Sequence, residues 1–329
     1  MSKPERAERV FKMKKYYPEN YLIATKENEN CLSTRAALKE AYYNGRILEA
    51  RAVVCDKEHN LHVDLGVMKG IMPREECAIG IDDGSVRDIA IISRVNKPVM
   101  FRITGFDTDE EGRPVAVLSR KAVQNECMAE YISSLVPGCV IDAVVTHMES
   151  FGVFADIGAG ICALMPIDSI SVSRIPHPSA RFSAGQKIKA VVKSIDENGR
   201  ITLSYKELLG TWEENASLFK AGETVPGIVR SVERYGIFVE LKPNLAGLAE
   251  YVPGVVPGQH ASVYIKNLIP ERMKIKLIIV DSFDAQYPNE PVTYYNTSDF
   301  IDRWVYSPEC SDKKIETVFS DYELTTKAI

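Results

Sequence analysis

Two short units of the chain hold a pair of aromatic rings around a glycine: Phe151-Gly152-Val153-Phe154 and Tyr235-Gly236-Ile237-Phe238. Read as strands, Val153, Ala155 and Ile157 share one face, and Phe154 shares the other with Asp156. In the second unit Ile237, Val239 and Leu241 oppose Phe238 and Glu240. A ring set among carboxylates on the polar face is not building a core. Phe151 and Tyr235 stand three positions earlier, an odd spacing that puts them on the opposite face of a regular strand. The intervening glycines tolerate positive φ, so a turn or bulge there can bring both rings to one side. Two such rings form a platform on which nucleic-acid bases stack, at ~1–3 kcal/mol each and with little regard to sequence. The alternative is that the rings cap the open end of a barrel and touch no ligand. Recurrence of the pair at the same place in two units favours the platform.

A third unit, His59-Asn60-Leu61-His62, puts histidines at both ring positions, with His62 beside Asp64 and opposite Leu61, Val63 and Leu65. Charge comes from a later strand of each unit. In GRITLSYK, Arg200, Thr202 and Ser204 face out opposite Ile201 and Leu203; in MKIKLIIV, Lys274 and Lys276 face out opposite Ile275 and Leu277. A basic group beside a ring pair neutralises a phosphate next to a stacked base. For any single lysine a solvated strand face is the plainer reading; Arg200 is the stronger candidate, because its guanidinium can also stack. The loop SISVSRIPHPSARFSAG carries Arg174, His177 and Arg181 on a Pro/Ser-rich connection, either wrapping RNA or lying as plain surface. Near the N-terminus, Lys12, Lys14 and Lys15 interleave with Phe11, Tyr16 and Tyr17, as a basic tail or a nucleic-acid arm.

These units sit in an internal repeat. Each repeat has a glycine, a valine-rich strand, an alternating strand, a glycine-bearing loop, and a strand closing on a basic turn. Gly138 to Phe151 and Gly222 to Tyr235 are both thirteen positions, and Gly45 to His59 is fourteen. Repeats of roughly 75 residues with short alternating strands predict small closed β-barrels, being too long for solenoid units of ~20–50. The expected organisation is an N-terminal arm with one helix (1–44), a divergent barrel (45–121), a second (136–209), a third (222–281) and a C-terminal extension (282–329). The arm's helix starts at Ser33 and stops at Gly45; Ala122–Leu135 and Lys206–Phe219 read as helical bridges. The extension is aromatic and acidic, nine acids against four bases, and is either an element packed on barrel three or a docking tail.

With 329 residues, 45% of them hydrophobic and 26% charged, the chain has material for two or three cored domains. A net charge of -5 excludes a wholesale polycation, so nucleic-acid binding requires local basic patches. Seven scattered cysteines without a C-x-x-C pair predict reduced thiols rather than a disulfide or zinc framework. No signal-peptide pattern and no apolar run near the ~18 residues of a membrane span are present, so a cytoplasmic protein without a membrane partner is expected. There is no P-loop, G-x-G-x-x-G, G-x-S-x-G or H-E-x-x-H. Only His59 and His62 approach metal-ligand spacing, and they occupy ring positions. No catalytic residue, metal or cofactor is therefore expected.

Gly138, the F-G-x-F unit, ALMPIDSI and SIDENGRITLSYK resemble the S1 RNA-binding domain, an OB-fold barrel, and YGIFVELKPNLAGLAEYV resembles it more closely still. The resemblance covers roughly residues 45–281, and the tandem arrangement is similar to a short form of the bacterial ribosomal protein S1 family. It implies a mainly β fold: three tandem five-stranded OB-type barrels with short helical linkers and N- and C-terminal extensions. It also implies that Phe151, Phe154, Tyr235 and Phe238 contact RNA, together with Asp196 and Arg200 of the closing turn and Lys274 in repeat three. His59, His62, Arg174, Arg181 and Lys276 form a second tier. The family's histidine after the third strand is absent, with Pro73, Pro166 and Glu250 in its place. Repeat one lacks both aromatics and carries a longer turn, TDEEGRP, so repeat two is expected to bind best and repeat one to serve in docking or structure.

The function so implied is non-catalytic, low-specificity binding of single-stranded messenger RNA in translation at the small ribosomal subunit. An interaction scaffold of a ribosome or RNA-decay complex, holding RNA-processing proteins, is the alternative. An RNA-processing enzyme is a third reading, weakened because the barrels leave no stretch long enough for a catalytic domain.

Overall fold

The computed structural model describes residues 16–285 and 292–319. Alternating apolar and polar residues make short strands, and these close into three barrels of five. Barrel 1 comprises β1 (Leu48–Cys55), β2 (Leu61–Asp64), β3 (Lys69–Met72), β4 (Pro98–Thr108) and β5 (Pro114–Ser119). Barrel 2 comprises β6 (Val140–Glu149), β7 (Gly152–Asp156), β8 (Cys162–Pro166), β9 (Lys187–Ile195) and β10 (Ile201–Ser204). Barrel 3 comprises β11 (Thr224–Glu233), β12 (Gly236–Lys242), β13 (Leu245–Ala249), β14 (His260–Ile269) and β15 (Lys274–Phe283). In each, the strands neighbour in the order first, second, third, fifth, fourth. The third and fifth pair in parallel. The fold is mainly β, three tandem OB-type barrels.

The inward sets are buried: Leu61, Val63 and Leu65 in barrel 1, Val153, Ala155 and Ile157 in barrel 2, Ile237, Val239 and Leu241 in barrel 3. Barrel 1 keeps a core of its own, whereas barrels 2 and 3 share one continuous apolar cluster with the C-terminal segment. Each first strand breaks register at the same place, between Ala52 and Val54, Val145 and His147, and Val229 and Ser231. Such a bulge bends the strand and re-aims the side chains beside it.

The helices depart from expectation in detail. The arm holds two helices rather than one, α1 (Lys26–Leu32) and α2 (Arg35–Tyr43). Ser33 closes the first, and Thr34 caps the second by accepting the Ala37 N–H at 3.1 Å. Two adjacent capping residues conceal which of them starts a helix. A single turn, α3 (Ile89–Ile92), lies between β3 and β4. The first bridge is α4 (Arg120–Glu130), opened by Ser119, and ends in a separate 3₁₀ turn at Ile132–Ser134. The second is a 3₁₀ turn at Lys206–Leu208 followed by α5 (Trp212–Ala216), with a Thr211/Glu214 capping box.

Lys12, Lys14, Lys15 and Phe11 lie outside the described residues. Tyr16 is buried, its hydroxyl facing Glu126 and Glu130 at 2.5 and 2.9 Å. Glu19 is buried between barrels 1 and 2, 2.6 Å from Arg120 and 2.8 Å from Arg94, and its N–H donates to Asp156 at 2.8 Å. The extension is neither an element on barrel 3 alone nor a free tail over residues 292–319. It straps barrel 2 and the junction with barrel 3. Phe300 bridges to Cys139, the Tyr294 hydroxyl accepts the Lys189 N–H at 3.0 Å, and Trp304 and Tyr306 are buried. A two-stranded sheet, β16 (Arg303–Val305) with β17 (Glu316–Val318), completes it.

Candidate nucleic-acid interface

The ring pairs form with the same geometry in barrels 2 and 3. The centroids of Phe151 and Phe154 are 6.1 Å apart at 90°, and those of Tyr235 and Phe238 are 6.1 Å apart at 86°. Edge-to-face contact at this distance is favourable between aromatics and leaves ring faces open. Phe151 and Tyr235 are 54% and 70% exposed, while Phe154 and Phe238 are half-buried against their sheets. The glycines act mainly through space. A Cβ on Gly152 would stand 2.4 Å from the Met165 carbonyl oxygen, and one on Gly236 2.4 Å from that of Ala249. Gly236 also has φ +148°. The outer ring sits on the turn before the strand, so the odd spacing no longer separates it from the inner one.

Register carries the site across each sheet. In barrel 2 a row runs His147, Phe154, Leu164, Thr202. In barrel 3 the matching row is Ser231, Phe238, Leu248, Lys276. Lys276 therefore lies two strands from Phe238, about 10 Å at the usual strand spacing, which lifts it out of the second tier. Sequence reasoning missed His147, whose ring stacks on Phe154 at 6.3 Å and 23°. Its pairing opposite Phe154 depends on the bulge after Val145, which nothing in the sequence marks. The nearby His147 Nε2 is 2.6 Å from Glu149.

Asp196 holds the closing turn rather than reaching outward. Its Oδ1 accepts the N–H of Asn198 at 2.9 Å and of Arg200 at 2.8 Å. The Arg200 guanidinium is exposed and makes no ion pair among the described residues. Lys274 and Lys276 are exposed on the corresponding strand of barrel 3 and are likewise without an ion pair there.

Arg181 is a correction. Instead of lying on a surface loop it is buried against barrel 3, where it pairs with Glu240. Arg230 meets the same carboxylate with two hydrogen bonds of 3.0 and 2.9 Å. Glu240 shares the outward parity of Phe238, but the packing of barrel 2 on barrel 3 covers it, and a covered carboxylate requires a cation. The loop itself is folded, with Ser171, Ile175 and Phe182 buried, and only Arg174 exposed among its arginines. Asn244, fully buried, locks the junction: its Nδ2 donates to the Lys206 and Gly210 carbonyls at 2.8 and 3.0 Å, and its Oδ1 accepts the Val172 N–H at 3.0 Å. The Tyr306 hydroxyl donates to its backbone carbonyl.

Barrel 1 builds no ring pair: His59 and His62 make no ring contact with each other. His62 Nε2 is 2.9 Å from Asp56, and His59 Nδ1 is 4.0 Å from Asp88, which also pairs with Arg74 at 2.7 Å. Burial opposes ionisation of Asp56, but hydrogen bonds from His62 and Asn60 outweigh it and hold its carboxyl below the usual range. Here the left-handed residue is His59 at φ +65°, not Asn60. The turn TDEEGRP repeats the Asp196 geometry around Asp109, but Arg113 pairs with Asp109 and Glu111 at 2.9 and 2.8 Å. Among the described residues no group of three or more His, Cys, Asp or Glu side chains could hold a metal ion, and no helix is long and apolar enough to cross a membrane.

The chain therefore carries three tandem OB-type barrels, two of which hold an aromatic ring pair and cations without an ion pair among the described residues. The model of the S1 RNA-binding domain matches residues 136–206, which is barrel 2. Small ribosomal subunit protein bS1 of Staphylococcus aureus is 33% identical over 273 residues, covering 78% of this chain and 66% of that protein. A bS1 homolog of Bacillus cereus is 30% identical over 299 residues, 83% of this chain and 75% of its own. The chain belongs to the bS1 family of ribosomal proteins. It spans 66% of the Staphylococcus aureus relative's length.

Proposed function

We propose that the protein binds single-stranded RNA without catalysis, through barrels 2 and 3, and that it does so in translation at the small ribosomal subunit. The observation that carries this is the repetition of one ring geometry, 6.1 Å and edge-to-face, in two barrels with exposed cations that make no ion pair among the described residues, Arg200 on the turn before β10 and Lys274 and Lys276 on β15. Membership of the bS1 family supports the ribosomal setting and a cytoplasmic location. The functional units are the barrels at 45–121, 136–209 and 222–281. In them Phe151, Phe154, Tyr235 and Phe238 stack bases, Arg200, Lys274 and Lys276 meet phosphates, Asp196 positions Arg200, and Arg174 is a peripheral contact. No cofactor takes part.

Titration of a fluorescein-labelled single-stranded RNA by anisotropy, at two salt concentrations, tests the reading. Phe151→Ala/Phe154→Ala is expected to weaken salt-sensitive binding at least tenfold, since each stacked base is worth ~1–3 kcal/mol. Equal affinity of the variant and the wild type would reduce the rings to barrel caps.

A further inference from the structure

Opposite the inner ring position, the first strand carries a different kind of residue in each barrel: Val54 in barrel 1, His147 in barrel 2 and Ser231 in barrel 3, each just after the bulge. The fold sets no demand for a ring there, since valine and serine follow the same bulge in the other two barrels. In barrel 2 the bulged residue, Thr146, pins the kink, its hydroxyl donating to the Phe154 carbonyl at 3.0 Å. With the kink held, the His147 ring lies nearly parallel to Phe154, 6.3 Å away at 23°. Its Nε2 stands 2.6 Å from a Glu149 carboxylate oxygen, a contact that fixes the ring by its edge. The His147 side chain is nevertheless 62% exposed. An exposed contact between imidazole and carboxylate adds little to stability. Neither packing nor pairing therefore accounts for the ring.

We propose that His147 is a third stacking ring of barrel 2, so that this barrel holds one base more than barrel 3. The role presupposes the RNA binding proposed above. Phe151, Phe154 and His147 follow one another from the turn before β7, onto that strand and across to β6, each ring in contact with the next. An imidazole offers a flat aromatic face, and stacking on such a face is tolerant of base identity. Barrel 3 answers at the other end of its row, where Lys276 takes the place of Thr202. Barrel 2 thus relies more on stacking and barrel 3 more on charge. A phosphate contact at His147 is disfavoured, because the Glu149 carboxylate sits against the same ring and repels an anion.

The full chain carrying Tyr235→Ala/Phe238→Ala keeps a ring pair only on barrel 2 and serves as the parent. Its affinity for a fluorescein-labelled single-stranded RNA is read by anisotropy at several salt concentrations. His147→Ser, which copies barrel 3, is expected to weaken binding about fivefold or more and to leave the slope of log affinity against log salt unchanged. His147→Phe, a ring without nitrogens, is expected to keep the parent's affinity. No loss from His147→Ser, an equal loss from His147→Phe, or a slope lowered by about 0.7, the mark of one phosphate contact, would overturn the proposal. Phe151→Ala/Phe154→Ala in the same parent separates the two readings. Loss there with none from His147→Ser removes the third ring alone, whereas full affinity there removes the platform and His147 with it.

Discussion

Barrels 1 and 2 share strand order, the bulge in the first strand and the hydrogen bonding of the closing turn, yet present opposite chemistry on the same face. Where barrel 2 has His147, Phe154 and Thr202, barrel 1 has Val54, His62 and Val117. Both turns are held by one aspartate accepting two backbone N–H groups. Arg200 leaves its turn free, while Arg113 is folded back onto Asp109 and Glu111. The buried alternation makes the barrel, and a handful of outward positions decides what it meets. Barrel 3 sides with barrel 2 in its rings and goes further in charge, with Lys276 in the row itself.

The largest way to break the contrast is to remove the rings from both barrel 2 and barrel 3. A chain with Phe151, Phe154, Tyr235 and Phe238 all replaced by Ala is expected to lose measurable RNA binding at near-physiological salt, because it loses four stacking rings, two platforms, at ~1–3 kcal/mol for each stacked base. The converse graft, His59→Phe/His62→Phe, is expected to gain less than threefold in anisotropy titrations, since Arg113 stays paired and the row stays without a cation. A tenfold gain would mean that rings alone define the site.

A smaller effect concerns the joint. Asn244→Ala leaves the Val172 N–H and the Lys206 and Gly210 carbonyls without their partner, at about 1–3 kcal/mol for each orphaned buried group. Thermal unfolding should move down by several degrees. RNA long enough to reach both barrels should lose affinity while a short oligonucleotide that fills one barrel does not, because a locked pair loses less freedom on binding than a loosely tethered one. Equal loss on both RNAs would mean that the barrels do not act together.

The parts of this arrangement that the sequence disclosed are those with a short period. Val153, Ala155 and Ile157 announce their strand by alternation, and the recurrence of Gly138 and Gly222 announces the repeat. The ring pair is legible because Phe151-Gly152 and Tyr235-Gly236 carry their own turn. His147, by contrast, joins Phe154 only through a cross-strand register that a bulge has shifted. Arg181 and Glu240 sit 59 positions apart, and each looks exposed by its own strand or loop; only the packing of one barrel on another buries them. The strap hides for the same reason. Its tyrosines Tyr294 and Tyr306 find partners in Lys189, Tyr205 and Asn244, which no local pattern connects.

Salt dependence sharpens the charge half of the comparison. Each phosphate contact on a single strand contributes about 0.7 to the slope of log affinity against log salt. Arg200→Ala and Lys276→Ala are each expected to reduce the slope by about that amount, and Arg113→Ala to leave it unchanged. A change for Arg113→Ala equal to that for Arg200→Ala would place RNA on barrel 1 as well.

The last expected effect concerns stability rather than RNA affinity and lies between barrels 1 and 2. Burial pushes the Asp156 carboxyl up to about 7, and the neighbouring Glu19 carboxylate adds to the shift. Burial also works against ionisation of Glu19, but Arg120 and Arg94 outweigh it and hold that carboxyl below its ordinary value. An unfolded chain releases the Asp156 proton near 3.9. Between that value and about 7 the folded state binds more protons than the unfolded one. The stabilising contribution is therefore fully present below about 4 and is lost as pH rises to 7. Asp156→Asn cannot titrate. Its amide also turns a donor toward the N–H groups of Glu19, Gly158 and Gly160 that the carboxylate accepts, a cost independent of pH. Melting temperatures measured from pH 5 to 8 should accordingly fall more steeply for the wild type than for the variant and run parallel above that range. Parallel curves throughout would mean that Asp156 is ionised in the folded state across the whole range, with the Arg120 guanidinium compensating its burial.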